Sequence, residues 1–203
     1  IAKENIYLLD LIKTSEALEK AMDAMSTLIS EGKMILFVGI TKPSAEPIKA
    51  TAEALKMPYV VDRWLGGTLT NFKVITSRVK YLEALETEQA SGGFEKYTKK
   101  ERVLKEREMH ILCQRYDGLR RLTRLPDMIF VTSLKESQLA VREAIIMKIP
   151  VVGIVNTDSD PKQLQYPIPA NDNARKSVEL VLEAIKNGLI HAIPSIAAPV
   201  AHV

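Results

Sequence analysis

The chain has 203 residues, a formal net charge of +3, 46% hydrophobic and 26% charged residues. That balance describes a globular chain rather than a disordered one, long enough for one α/β domain with an elaboration or for two small domains. A single cysteine, Cys113, excludes an internal disulfide framework and accords with a reducing compartment; no apolar run approaches the roughly 20 residues of a membrane span, and no targeting segment is visible at the N-terminus.

In chain order, Thr14 or Ser15 is placed to cap a helix whose apolar positions Leu18, Met22, Met25 and Ile29 recur at helical spacing. Residues 33–39 form a continuous apolar run ended by Gly39, the pattern of a strand buried on both faces. Similar runs recur at 59–61, 128–131 and 151–155, with a shorter one at 166–168. Helical patterns at 45–56, 136–148 and 171–187 lie between or after them, the last stopped by Gly188. Alternating strands and helices predict a three-layer parallel sheet, flavodoxin- or Rossmann-like.

One interval breaks the rhythm. Over sixty residues separate the runs at Tyr59 and Met128, about twice the length of a βαβ crossover. The pattern predicts a helix over 71–89 with Ile75, Val79 and Leu82 on one face, a break at Ser91-Gly92-Gly93, and a second helix to about Arg121. Thr98-Lys99-Lys100-Glu101 has the form of a capping box for that second helix, and Leu104, Ile111, Leu112, Tyr116 and Leu119 are available as its seam. The expected organisation is an α/β domain over 1–70 and 123–190, an inserted antiparallel helical hairpin (coiled coil) over 71–122, and an apolar tail over 191–203.

Charge follows the insertion. Between Arg63 and Arg124 there are 14 Lys/Arg against 8 Asp/Glu, while the remainder carries 14 against 17. Lys96, Lys99, Lys100, Arg102, Lys105 and Arg107 crowd the tip with Phe94 and Tyr97 interleaved, a composition suited to phosphate contacts with occasional base stacking. A solvated helical tip has the same composition. Lysines at a helix start also oppose the helix dipole, which an external anion would reverse.

Other chemistry has little support. Val38-Gly39-Ile40-Thr41-Lys42-Pro43 follows a strand but lacks the glycines of a phosphate loop, and Pro43 suits a first helical turn. Asn156-Thr157-Asp158-Ser159-Asp160-Pro161 is a turn before it is a cation site. None of the three histidines, His110, His191 and His202, adjoins a nucleophile, and zinc-ligand spacing is absent. Neither catalytic nor metal-ligating residues are expected.

The most informative string is Arg63-Trp64-Leu65-Gly66-Gly67-Thr68-Leu69-Thr70-Asn71-Phe72: a sharp glycine turn feeding a helix start, whose unpaired N–H groups suit an anion. It resembles a signature of the bacterial-type family of small-subunit ribosomal protein number two. Leu9 to Thr14, Ile35 to Gly39, Gly93 to Lys96 leading into Thr98 to Glu101, Leu125 to Asp127, Ile149 to Val152 and Tyr166 to Asp172 match it in order and spacing. The resemblance implies a parallel-sheet domain with a protruding hairpin and a structural, non-catalytic role in translation. It further implies binding of small-subunit ribosomal RNA and docking of neighbouring ribosomal proteins, with no cofactor, no DNA and no membrane partner. The expected setting is the small subunit in a bacterial cytoplasm, or an organelle matrix. On this basis the candidate RNA contacts are Arg63, Thr68, Thr70, Asn71, Lys73, Arg78, Lys96, Lys99, Lys100 and Arg102. The chain departs from the family pattern at Asp117-Gly118-Leu119 and at Asn156-Thr157-Asp158, where Gly-Gly-Ile and Asp-Thr-Asn are usual. The alternative is an α/β nucleotide- or metabolite-binding protein whose helical insertion docks a partner.

Overall fold

Ile35, Leu36, Phe37 and Val38 are all fully buried, yet they enter two different cores, as the two-residue period of a strand requires. Ile35 and Phe37 join α1 (Leu11–Ser30), α2 (Lys42–Ala54) and α6 (Arg175–Leu189) on one face of the sheet; Leu36 and Val38 meet α5 (Gln138–Ile146) and the start of α3 (Phe72–Ala90) on the other. A strand apolar on both faces belongs inside a three-layer fold. The computed structural model describes residues 2–3 and 6–192. Residues 193–203 of the expected tail, with His202, lie outside the described residues.

The strands are β1 (Ala2–Lys3) and β2 (Ile6–Tyr7), which pair antiparallel, and β3 (Ile35–Val38), β4 (Tyr59–Val60), β5 (Met128–Val131), β6 (Val151–Val155) and β7 (Tyr166–Pro169). The last five form one parallel sheet in the order β4-β3-β5-β6-β7. The chain order reverses at β3, which lies between β4 and β5; this is the flavodoxin-type switch. The Leu125-Pro126-Asp127 string aligns β5 with β3, because the Asp127 N–H donates to the Met34 carbonyl at 2.8 Å while its carboxylate accepts from Met34 N at 2.9 Å.

Several boundaries differ from the expected ones for identifiable reasons. Asp10, not Thr14 or Ser15, caps α1, accepting from Ile12 N at 3.1 Å and Lys13 N at 3.4 Å. Thr14 instead sits in the first turn and donates to the Pro169 carbonyl at 2.5 Å, tying the helix to β7. The second helix starts at Lys42, three residues early, with Pro43 in its first turn. The last helix starts late, at Arg175, because Asn171 folds its own turn, accepting from Asn173 N (2.9 Å) and Ala174 N (3.2 Å). Gly188 does not stop that helix but lies inside it, where an added Cβ would stand 3.0 Å from Met22 Sδ. It is a close-packing glycine, not a cap.

Between β4 and β5 the chain forms α3 and α4 (Lys99–Tyr116), the latter followed by a 3₁₀ turn at Asp117–Leu119 instead of running to Arg121. Their contacts run in opposite senses. Glu88, in the last turn of α3, meets Lys105 early in α4, whereas Leu82 and Leu85 pack with Leu112. The capping box forms as its sequence predicts: Glu101 accepts from Thr98 N at 2.9 Å, and Thr98 Oγ1 from Glu101 N at 3.4 Å. The expected seam holds at Leu112 and Tyr116 and is corrected at Leu104 and Ile111. Arg102, Lys105, Met109, Leu112 and Tyr116, alternately three and four residues apart, form the inward stripe, while Leu104 (53% exposed) and Ile111 (45%) face out.

Candidate nucleic-acid interface

At the glycine turn the structure answers the anion question from within the chain. Gly67 adopts φ +88°, a left-handed conformation open to glycine at little cost. The turn aims its donors inward at the Glu143 carboxylate of α5. Oε1 accepts from Trp64 Nε1 at 3.0 Å and Gly67 N at 2.8 Å. Oε2 accepts from Leu69 N at 3.0 Å, Thr70 N at 3.2 Å and Thr70 Oγ1 at 3.2 Å. Burial of Glu143 pushes its carboxyl up, but the hydrogen bonds from Leu69, Trp64, Gly67 and Thr70 outweigh that and hold it below the ordinary glutamate range. A buried carboxylate persists only when its lone pairs are so satisfied. The turn is an anion site, and its anion is Glu143.

That placement sorts the candidate RNA contacts. Thr68 is 1% exposed and donates to the Leu65 carbonyl at 2.6 Å, so it holds the turn and presents nothing to a ligand. Thr70 is exposed, but its hydroxyl and N–H are taken by Glu143. Arg63 and Asn71 flank the turn on the surface, and Asn71 caps α3 without a side-chain bond. Trp64 is buried and serves as a donor to Glu143, not as a stacking surface.

On the helix pair, the cations divide. Lys96 Nζ lies 2.8 Å from Glu88 Oε1, and Arg102 donates to the carbonyls of Tyr97 (3.1 Å) and Glu95 (2.8 Å). Lys105, a residue not among the candidates, lies 4.2 Å from the Tyr97 ring centroid and 3.2 Å from Glu88 Oε2. By contrast Lys73, Arg78, Lys99 and Lys100 are exposed and, among the described residues, make no ion pair or side-chain hydrogen bond. Arg107, left out of the candidates, is exposed and unpaired in the same sense. Arg120 belongs to the framework, gripping Glu86 at 2.7 and 2.6 Å and Asp117 at 2.8 Å. Side-chain cations therefore fall into a set with partners inside the chain and an outward set without them.

Two carboxylates that organise these turns escaped sequence reasoning. Glu143 has a weak local signal, a carboxylate set among the buried Ala140, Val141 and Ala144, but its donors lie more than seventy residues away. Glu88 carries no signal, being one acid in a polar helix end.

The strand-to-helix turn after β3 is closed by its own groups: Ser44 is buried with Oγ 2.8 Å from Thr41 Oγ1. At the turn after β6, Asn156 Nδ2 donates to the buried Asp172 at 2.8 Å, Thr157 N donates to Asn156 Oδ1 at 2.8 Å, and Asp158 pairs with Lys135 at 3.0 Å. Among the described residues no group of three or more His, Cys, Asp or Glu is arranged to hold a metal, and no helix is long and apolar enough to cross a membrane.

Comparison with known proteins agrees with this architecture. The sequence model of the family described as ribosomal protein S2 matches residues 1–192. A small ribosomal subunit protein uS2 from Chloroherpeton thalassium is 40% identical over 94% of this chain and 76% of its own length. The uS2 proteins of Cytophaga hutchinsonii (41% identical, 94% of this chain and 75% of the relative) and Thermus thermophilus (42%, 97% and 77%) are similar to the same extent. With a match over nearly all of its length and a parallel sheet interrupted by a cationic helix pair, the chain belongs to the ribosomal protein S2 family.

Proposed function

We propose that the protein is a structural, non-catalytic component of the small ribosomal subunit, which acts in translation by holding ribosomal RNA through phosphate contacts and by docking neighbouring ribosomal proteins. Its relatives are named as small ribosomal subunit proteins. In this reading an α/β unit of residues 1–70 and 123–190 carries residues 71–122 as a cationic arm. The observation that carries it is the outward set of cations, Lys73, Arg78, Lys99 and Lys100, exposed without partners on α3 and α4. Arg63 extends the set toward the body of the protein with the neutral Asn71 beside the same turn, while Thr68, being buried, makes no RNA contact in this reading. Arg102 contributes field rather than direct contact, its guanidinium being engaged by two backbone carbonyls of the turn, whereas Lys96 stays largely exposed while paired with Glu88.

Phosphate contacts release counterions, so affinity for small-subunit RNA falls with salt in proportion to the contacts made. Replacing Lys99 and Lys100 by alanine is expected to weaken binding and to lower the slope of log affinity against log salt by about 2. Fluorescence anisotropy across a salt series measures both. Unchanged RNA affinity, accompanied by tight binding of a mononucleotide, would replace this reading with that of a nucleotide-binding protein.

A further inference from the structure

We propose that Glu88 is a positioning residue for RNA binding: it locks the α3–α4 turn so that Lys99 and Lys100 stand outward together. The proposal rests on the RNA reading above.

The chain reverses between the two helices through Gly92, at φ +74°, and the short 3₁₀ turn Gly93–Lys96. Gly93 lies so close to α3 that an added Cβ would meet the Glu88 carbonyl oxygen at 2.9 Å. Around that point the Glu88 carboxylate collects three donors from the far side of the turn: Lys96 Nζ at 2.8 Å, Tyr97 OH at 2.9 Å and Lys105 Nζ at 3.2 Å. Lys105 is further held over the Phe94 and Tyr97 rings, 5.4 and 4.2 Å from their centroids. Phe94 and Tyr97 meet edge to face, their centroids 6.2 Å apart. Lys96, Tyr97 and Lys105 bracket the first turn of α4, and Arg102 closes it from within through the Glu95 and Tyr97 carbonyls. Lys99 and Lys100 occupy the first two positions of that turn, behind the Thr98 capping box. Their direction is therefore set by the bracket, although neither touches Glu88.

This makes an expectation opposite in sign to simple charge. Glu88→Gln raises the net charge by one, and a long-range field would then bind RNA more tightly. If Glu88 acts by position, affinity falls instead, because the loosened tip no longer offers both lysines at once. The test uses the full chain, an RNA of the small subunit and anisotropy over a salt series, with circular dichroism to follow helix content. Glu88→Gln is expected to bind about threefold more weakly at fixed salt, with a slope shallower by about 1. Glu83→Gln removes the same charge from an exposed position of α3 that, among the described residues, makes no ion pair, and it is expected to bind as tightly as the wild type or more tightly. Equal or tighter binding by Glu88→Gln, or an equal loss in Glu83→Gln, overturns the proposal. If Lys99→Ala/Lys100→Ala leaves affinity unchanged, the RNA reading of the tip fails first and removes the basis of this one.

Discussion

Two glutamates do similar work in different surroundings. Glu143, 5% exposed, gathers the donors of the glycine turn and neutralises them in the core. Glu88, with a quarter of its side chain exposed, gathers donors at the hairpin turn while neighbouring cations stay in solvent. Where burial is nearly complete, a carboxylate must satisfy every lone pair locally and the site closes. Where water remains, the carboxylate organises a surface without using up its charge. A string rich in N–H donors is thus a binding site only if the fold leaves it unfilled.

The largest effect that would break this contrast is at Glu143. Glu143→Ala leaves Trp64 Nε1 and the Leu69 N–H buried without partners, so chemical denaturation is expected to show a loss of about 3–5 kcal/mol. A loss below about 1 kcal/mol would mean that the turn holds itself together. The same carboxylate sets a pH dependence. Its folded value is held below the ordinary 4.5, so its contribution is complete above that value and disappears as pH falls through the lower folded one. Acid unfolding of the wild type should show this decline, and Glu143→Gln should flatten it.

A smaller effect sharpens the description of the helix pair. Leu112→Ala, which empties a buried seam position, is expected to cost about 2–4 kcal/mol, whereas Leu104→Ala should stay within about 0.5 kcal/mol. Equal costs would restore the seam expected from sequence. The smallest is Thr98→Ala, which removes one side of the capping box for about 1 kcal/mol and should fray α4 at its start, visible as faster amide exchange over Lys99 to Arg102.

The helix pair also shows why periodicity counted Leu104 and Ile111 in its seam beside Leu112 and Tyr116. Leu104 and Ile111 are seven apart and more apolar than Lys105, so pattern reading prefers them. In the structure Met109, Leu112 and Tyr116 set the phase, and it carries Arg102 and Lys105 inward, where aromatic rings, backbone carbonyls and Glu88 receive them. A long cation can lie along a seam when its head finds acceptors, a possibility that hydropathy does not encode.

What the sequence by itself determined was the layered sheet, the two helices inserted after the second strand of that sheet, and the capping box. Each rests on residues near one another in the chain: short apolar runs that suit a strand buried on both faces, apolar side chains recurring every three or four residues, and a threonine three residues before a glutamate. Only the tertiary structure decided which charges remain available. Glu143 meets the glycine turn across more than seventy residues, and Glu88 meets Lys105 across a chain reversal. Such pairings depend on where the fold brings distant groups together and how much water it leaves beside them, and no local pattern carries that information.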